Sequence, residues 1–350
     1  SLEFPLVSLK LAIAHPTGYP LYTLLGKLFI LGPWEDAARS VNLLSAVAGA
    51  LAVALVYLGI RELTRLRDGG AGRRLPALLG ALALAVSPVF WSQAVIAEVY
   101  TLNSVFFAAV LWLALYWARR PLIPVRPFSL LLTRPAKRAM VFLPGQGSGP
   151  HLPPVLRRAA HRARTLYRQL FPAVPPSRRL QLHPAIYGLA LLYGLSLTHH
   201  RLMLLLAPAL FLFVLAVEPR VFSRAALLGP QHPDRPRWLQ VMGHSGVLLL
   251  LCFLAPLLLY LYLPIRGSTG SLDGSYANTW RGFWGWVTTG GYGVFLGHNP
   301  LARDLDASFY ARLFWQQFGP VGLALALTGV LGLLLRPSRG RSGSAAGGYL

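Results

Sequence analysis

Residues 41–60 read VNLLSAVAGALAVALVYLGI, twenty residues without a charge. A helix rises about 1.5 Å per residue, so about 20 apolar residues cross a hydrocarbon core about 30 Å thick. This stretch is therefore expected to span a membrane. Similar runs lie near 75–92, 103–118, 185–198, 202–218, 244–264 and 318–335. Seven spans would make an all-α, polytopic transmembrane bundle. Residues 6–31 are also apolar, but His15, Pro16, Gly18 and Pro20 interrupt them. They read better as helices lying in the interface than as a span. Composition agrees. The 350-residue chain is 55% hydrophobic and 13% charged, with mean hydropathy +0.51. Soluble domains are typically about 25% charged.

Net charge is +22. The basic residues fall in blocks between apolar runs, without the basic face and interleaved aromatics of a nucleic-acid binder. With seven spans, alternate connections at 61–74, 119–184, 219–243 and the tail from 336 hold 25 of the 33 Lys and Arg. The positive-inside rule makes that side cytoplasmic. Seven of the 11 acids fall on the other side. The N-terminus is then outside and the C-terminus inside. The start at Ser1 reads as the inside of a loop, so one further span is expected upstream. The insertion 119–184 contains LRRAAHRARTLYRQL (156–170), which suits either a solvated connector or a basic amphipathic helix on an anionic leaflet. Residues 336–350 read as a flexible Gly/Ser/Arg tail. The single cysteine, Cys252, sits in an apolar run, and no Cys/His spacing suggests zinc. No metal ligand set or cofactor is expected. A divalent metal has no support in the sequence.

The unusual polar stretches, 12–20, 92–103, 198–201 and 265–317, all fall at the outer boundary of this layout. Polar groups at membrane depth cost several kcal/mol unless they face protein or water. His15 suits a base, a hydrogen-bond donor to phosphate or an interfacial residue, and Gly18 and Pro20 beside it suit a tight turn at Tyr19. Glu98 is either a site carboxylate or a helix-cap residue. Gln93, Tyr100 and Asn103 flank it, and the last two also suit an aromatic belt and a helix start. The short connection Thr198–His199–His200–Arg201 suits anion binding or snorkelling to headgroups. Arg266 suits phosphate, because its planar fork donates two parallel hydrogen bonds, or an interface anchor. Trp280, Trp284, Trp286, Tyr276 and Tyr292 form either a sugar-stacking platform or a membrane belt.

Several of these stretches carry a resemblance. AHPTGYPLYTLLGKLF (14–29), VNLLSAVAGALAVALVY (41–57), FWSQAVIAEVYTLN (90–103), GLSLTHH (194–200) and YLPIR (262–266) resemble, in order, the domain of unknown function 2723 family, whose animal member is a protein O-mannosyltransferase. The likeness runs over residues 1–335, with 119–184 unmatched. It implies a GT-C type glycosyltransferase: a helical membrane bundle using a polyprenyl-phosphate-sugar donor at its outer face. The family's first outer loop carries an acidic stretch like Asp-Ser-Gly-Glu-Phe. Ser1-Leu2-Glu3-Phe4 matches its end, so Glu3 takes the Glu position and the Asp would precede Ser1. The family's Trp-Gly-Asp-Pro-like stretch is replaced by LDGSYANTW (272–280).

The resulting expectation is a membrane glycosyltransferase acting at the outer face of a bacterial plasma membrane. Its acceptor is a protein or a glycan, and its sugar could be mannose. Glu3 and Glu98 are the candidate catalytic acids. His15, Tyr19, Gln93, Tyr100, Asn103, His199, His200, Arg201 and Arg266 are the candidate substrate-binding residues. The rivals are a transporter or flippase of a lipid-linked substrate, which should show two related halves and mid-membrane charges, and a non-catalytic membrane fragment.

Overall fold

The computed structural model describes residues 2–33, 36–68, 73–119, 122–124, 180–222, 245–289 and 306–335. It is mostly helical. The helices are α1 (Glu3–Lys10), α2 (Pro20–Ile30), α3 (Ala37–Asp68), α4 (Arg74–Ala85), α5 (Pro88–Ala94), α6 (Tyr100–Ala118), α7 (Ala185–Leu197) and α8 (Ala207–Val217), the last entered through a 3-10 turn, Arg201–Leu206. After them come α9 (Ser245–Ile265), α10 (Trp280–Val287) and α11 (Ala307–Leu335). The chain divides into two compact units. The first comprises residues 1–119, 184–210 and 249–350 and holds every candidate site residue. In the second, 120–183 and 211–248, the strands β1 (Leu122–Pro124) and β2 (Leu180–Leu182) pair antiparallel, with Leu122 opposite Leu182.

Helix α3 is the hub of the first unit, touching α1, α2, α4, α5 and α6. Asp36 starts it by accepting hydrogen bonds from the Ala38 and Arg39 amides, 3.0 and 3.3 Å. Val41, Leu44, Ser45, Ala48 and Ala52 are buried at helical spacing, so one narrow stripe faces protein. Helix α6 packs against α3, and its Ala109, Val110 and Ala114 are buried. Small residues on both helices let the backbones approach closely, the usual basis of helix association in lipid. At the other end of α3, buried Glu62 is bridged by Arg65 at 2.5 Å and by Arg119 at 2.8 Å, which ties the ends of α3 and α6 together.

The seven-span layout is not what the helices form. Three of the described helices are long and apolar enough to cross: Ala37–Leu66 within α3, α6, and α9. A fourth is gained if α4 and α5, bent by 66°, count as one span. The bend follows from Pro88, which pushes Ser87 into extended backbone and starts a new helix. The expected spans 185–198 and 202–218 fall short. At 1.5 Å per residue the 13 residues of α7 reach about 20 Å, and the second run opens as a 3-10 turn. The expected span 318–335 is interrupted by non-helical Gly319, followed by Pro320. Sidedness read from seven alternations loses that basis. Most of the 119–184 insertion with its basic helix, most of the 219–243 connection, residues 290–305 of the outer loop and the tail from 336 lie outside the described residues. Residues 6–31 form mainly α1 and α2, neither long enough to cross.

Helices α7 and α9 meet backbone to backbone. A Cβ on Gly194 would lie 2.0 Å from the Phe253 carbonyl oxygen, which cannot rotate away. Gly194→Ala should therefore cost about 1–3 kcal/mol through overpacking. Thermal unfolding in detergent should show a lowered midpoint for it, and an unchanged one for Gly59→Ala, whose Cβ meets nothing within 4 Å.

Candidate functional site

Helix α1 ends at Leu11 in the left-handed conformation. The next residues lead to α2 without a regular partner of their own. Their carbonyls are taken instead by side chains from far along the chain. Arg266 donates from Nε to the Leu11 oxygen (2.7 Å) and from Nη2 to the Lys10 oxygen (3.0 Å). Tyr262 donates its hydroxyl to Ala12 (2.8 Å), and Trp286 its indole N–H to Ala14 (3.0 Å). The Ile13 amide donates to the Gly270 oxygen at 3.0 Å. Ile13, Tyr262, Leu263, Tyr276 and Trp286 pack as one buried cluster beneath these bonds. At Gly18, φ is +82° and an added Cβ would lie 2.6 Å from Leu263, so both the turn and the packing require glycine.

This clamp presents His15. Its amide donates to Glu3 Oε1, and its Nδ1 bonds Glu3 Oε2, both at 2.8 Å. Burial pushes the Glu3 carboxyl up, but the side-chain and backbone hydrogen bonds from His15 outweigh it and hold it below its ordinary value. The hydrogen bond to Glu3 raises His15 above its ordinary 6.5 against the opposing effect of burial, and the charges of Glu3, Glu98 and Asp273 add to the rise. The rings of Phe4 and Tyr19 flank the imidazole at 5.7 and 5.0 Å.

Tyr19 extends the cluster to His199 and His200, with ring centroids 6.3 and 6.0 Å away. His199 is fully buried, stacks on Tyr22 and bonds the Val99 oxygen through Nε2 at 2.9 Å. Burial drives its pKa down to about 3, so it is neutral at pH 7 and its Nε2–H is the donor. His200 is also lowered, first by burial and then by the charge of His15, and its Nδ1 accepts the Leu202 amide at 3.2 Å. Glu98 is held by its backbone. Ser45 Oγ donates to the Glu98 oxygen (3.3 Å) and accepts the Glu98 amide (3.4 Å), while Tyr22 hydrogen-bonds the same hydroxyl at 3.1 Å.

Tyr100 packs 6.2 Å from His200 and also lines an open, mostly apolar cavity of about 610 Å³. Phe90, Leu313 and Phe318 supply apolar wall. Gln93 Oε1 and Thr101 Oγ1 lie buried in it without a hydrogen-bond partner. Gln317 joins α11 to this wall by accepting the Val89 amide at 3.0 Å.

The structure thus gathers Glu3, His15, Tyr19, His199 and His200, with Glu98 in electrostatic range of His15. Gln93 and Tyr100 belong to the cavity. The Asn103 Oδ1 is buried without a partner in the first turn of α6. Arg201 is exposed at the start of its 3-10 turn. Arg266 serves the clamp. Trp286 is committed to Ala14, while Trp280 and Trp284 on the same helix are exposed. Tyr292 lies outside the described residues. Tyr22, Ser45 and Asp273 were not among the expected site residues. A hydroxyl inside an apolar span was the available signal for Ser45. Among the described residues, no group of three His, Cys, Asp or Glu side chains is placed to hold a metal ion.

Residues 1–141 match the family described as the protein O-mannosyl-transferase TMEM260 N-terminal domain. Among similar proteins, the mouse protein O-mannosyl-transferase TMEM260 is 38% identical over 98 residues, 28% of this chain and 13% of the relative. The Dictyostelium discoideum protein O-mannosyl-transferase tmem260 is 28% identical over 120 residues, 33% of this chain and 14% of the relative. The likeness therefore spans about one-seventh of the length of these curated relatives. No solved structure matches. The matched stretch contains Glu3, His15, Tyr19, Gln93, Glu98, Tyr100 and Asn103, but not the His199–Arg201 turn or Arg266.

Trp286→Phe keeps an aromatic ring in the cluster and leaves the Ala14 carbonyl without its donor. Losing one partner of a buried hydrogen bond costs about 1–3 kcal/mol. The expected outcome is a lower unfolding midpoint and faster proteolysis near residues 10–19, read by limited digestion. Trp280→Phe, at an exposed ring, should change neither.

Proposed function

We propose that this chain forms part of a membrane glycosyltransferase that transfers a sugar, mannose in the first instance, from a polyprenyl-phosphate donor to a Ser or Thr hydroxyl of a protein at the outer membrane face. One observation carries this reading. A carboxylate–imidazole pair, Glu3–His15, is clamped at the surface of a cluster whose next aromatic, Tyr100, forms the wall of an open apolar cavity. A prenyl donor needs that combination: an apolar groove for the chain and acid–base groups at its mouth for the sugar. Similarity of residues 1–141 to the protein O-mannosyl-transferase TMEM260 N-terminal domain supports the reaction class.

In this reading Glu3 and Glu98 supply the negative charge of the acid–base machinery. Tyr19, Gln93, Tyr100 and Asn103 line the path of the donor. The phosphate falls to Arg201 as the charge and to His200 as a neutral N–H donor, because two nitrogens of the Arg266 fork already hold backbone carbonyls. His199 sets the turn that carries Glu98. A GT-C type bundle remains the expected architecture.

The test is transfer by the full-length protein, reconstituted in lipid, from polyprenyl-phosphate-[³H]mannose to a Ser/Thr-rich peptide. Labelled peptide is expected. Label delivered from GDP-mannose but not from the lipid donor would overturn the donor assignment. Ser104→Trp, which fills the cavity wall, should raise half-saturation for a long-chain donor on the order of tenfold, equivalent to about 1.4 kcal/mol. It should leave a short-chain donor nearly unaffected.

Sidedness has its own test. Ser275→Cys in a Cys252→Ser background should react with an impermeant thiol reagent applied to intact cells, since Ser275 is exposed beside Asp273. Labelling only after permeabilisation would turn the site to the opposite side.

A further inference from the structure

We infer that His15 Nε2, rather than either carboxylate, takes the proton from the acceptor hydroxyl, and that Glu3 acts through it as a positioning residue. The inference rests on the glycosyl-transfer reading and assigns the roles within it.

Three histidines lie in the cluster, and their hydrogen bonds sort them. His199 is fully buried, and its Nε2 is committed to the Val99 oxygen. His200 Nδ1 accepts the Leu202 amide, so in the neutral ring the proton sits on Nε2, which is then a donor. His15 is the reverse case. Its Nδ1–H donates to Glu3 Oε2, which leaves the lone pair of the neutral ring on Nε2. Its side chain is 39% exposed, so an acceptor can approach the ring.

Glu3 is poorly suited to act directly. Each of its oxygens already accepts a hydrogen bond from His15, one from the backbone and one from the ring. That two-point grip fixes the imidazole relative to its own peptide, as carboxylates orient catalytic histidines elsewhere. The peptide is fixed in turn by Trp286 on Ala14 and by the Gly18 amide on the His15 oxygen at 2.7 Å. The groups that face the ring are Glu3 from α1, Glu98 from the turn before α6, Asp273 from the segment after α9, Tyr19 before α2, and His200. The three carboxylates favour the imidazolium, and His200 is held neutral by burial.

The step balances. The acceptor oxygen forms a bond to the sugar anomeric carbon as its proton passes to His15 Nε2. The bond from that carbon to the lipid phosphate oxygen breaks, and its electron pair leaves with the phosphate. The imidazolium then releases its proton to water.

The experiment measures mannosyl transfer by the full-length protein from polyprenyl-phosphate-mannose to a Ser/Thr peptide across pH 5.5 to 9. The wild-type rate should rise with pH through an inflection above the ordinary 6.5, since the neutral ring is the active form. His15→Ala and His15→Asn should lower kcat on the order of 100-fold or more, within the range for a lost general base, and leave donor half-saturation nearly unchanged. Added imidazole should restore part of the rate to His15→Ala. Glu3→Gln should move the inflection to lower pH, because the charge that raises it is gone. Wild-type rates in His15→Asn, or an inflection that Glu3→Gln does not move, would overturn the inference alone. If both His15 variants fail to fold, the Glu3→Gln profile decides by itself. A wild-type protein that transfers nothing from the lipid donor would overturn the glycosyl-transfer reading and the inference with it.

Discussion

The site depends on the satisfaction of five main-chain groups. Between Lys10 and Ala14 the chain has left one helix and not begun the next, and Ala12, Ile13 and Ala14 are nearly or fully buried. Buried backbone groups without partners cost about as much as lost hydrogen bonds. No neighbour in sequence offers the donors. Tyr262, Arg266 and Trp286 supply them to the four carbonyls, and the Ile13 amide finds its acceptor in the Gly270 oxygen. The requirement acts over some 250 residues of separation. It joins the end of the apolar helix α9 and the amphipathic helix α10 to the segment carrying His15. Local propensity has little part in it, since each interaction is between segments that are irregular or terminal.

A second set of bonds fixes the other half of the cluster from inside the bundle. Ser45 sits on the buried stripe of α3 and is shared by Tyr22 of α2 and the Glu98 backbone before α6. His199 closes the same turn from the start of the His200 connection by bonding Val99. In a low-dielectric interior a satisfied network of this kind holds one geometry strongly, because breaking any member strands the others. Burial also decides what His199 can do. A ring that stays neutral at pH 7 is a rigid donor to Val99 and cannot serve as a charge for phosphate.

The helical, membrane-embedded character was legible because long uncharged runs have few other solutions. Residues 41–60 and 103–118 became parts of α3 and α6. The number of crossings was not, because apolarity does not measure helix length. Pro88, Gly319 and Pro320 cut runs that look continuous by hydropathy, and α7 is short although Ser196 and the hydroxyls of Tyr187 and Tyr193 are its only polar side-chain groups. Glu3 and His15 were each visible as unusual, but their pairing across 12 residues depends on the left-handed turn at Leu11 and on the distant clamp. Arg266 was open to two readings, a phosphate grip and an interface anchor. Its planar fork suits two carbonyl oxygens as well as two phosphate oxygens. Only the proximity of the α1 C-terminus distinguishes these uses, and sequence spacing carries no trace of it.

The aromatic segment after Arg266 divides along the same line. Trp286 faces inward and spends its one N–H on Ala14, so its ring is core. Trp280 and Trp284 sit on the same eight-residue helix, turned outward and packed edge to face at 5.5 Å. One helix therefore carries a structural donor on one side and an exposed aromatic pair on the other. The inward residue sets the position of the helix, and the Thr279 cap onto the Gly282 amide fixes where it starts. What the outward pair meets is then constrained by the same clamp that holds His15. The Glu3–His15 cluster and this aromatic face share the segment from Tyr262 to Trp286 as common support, and loosening that support would disturb both together.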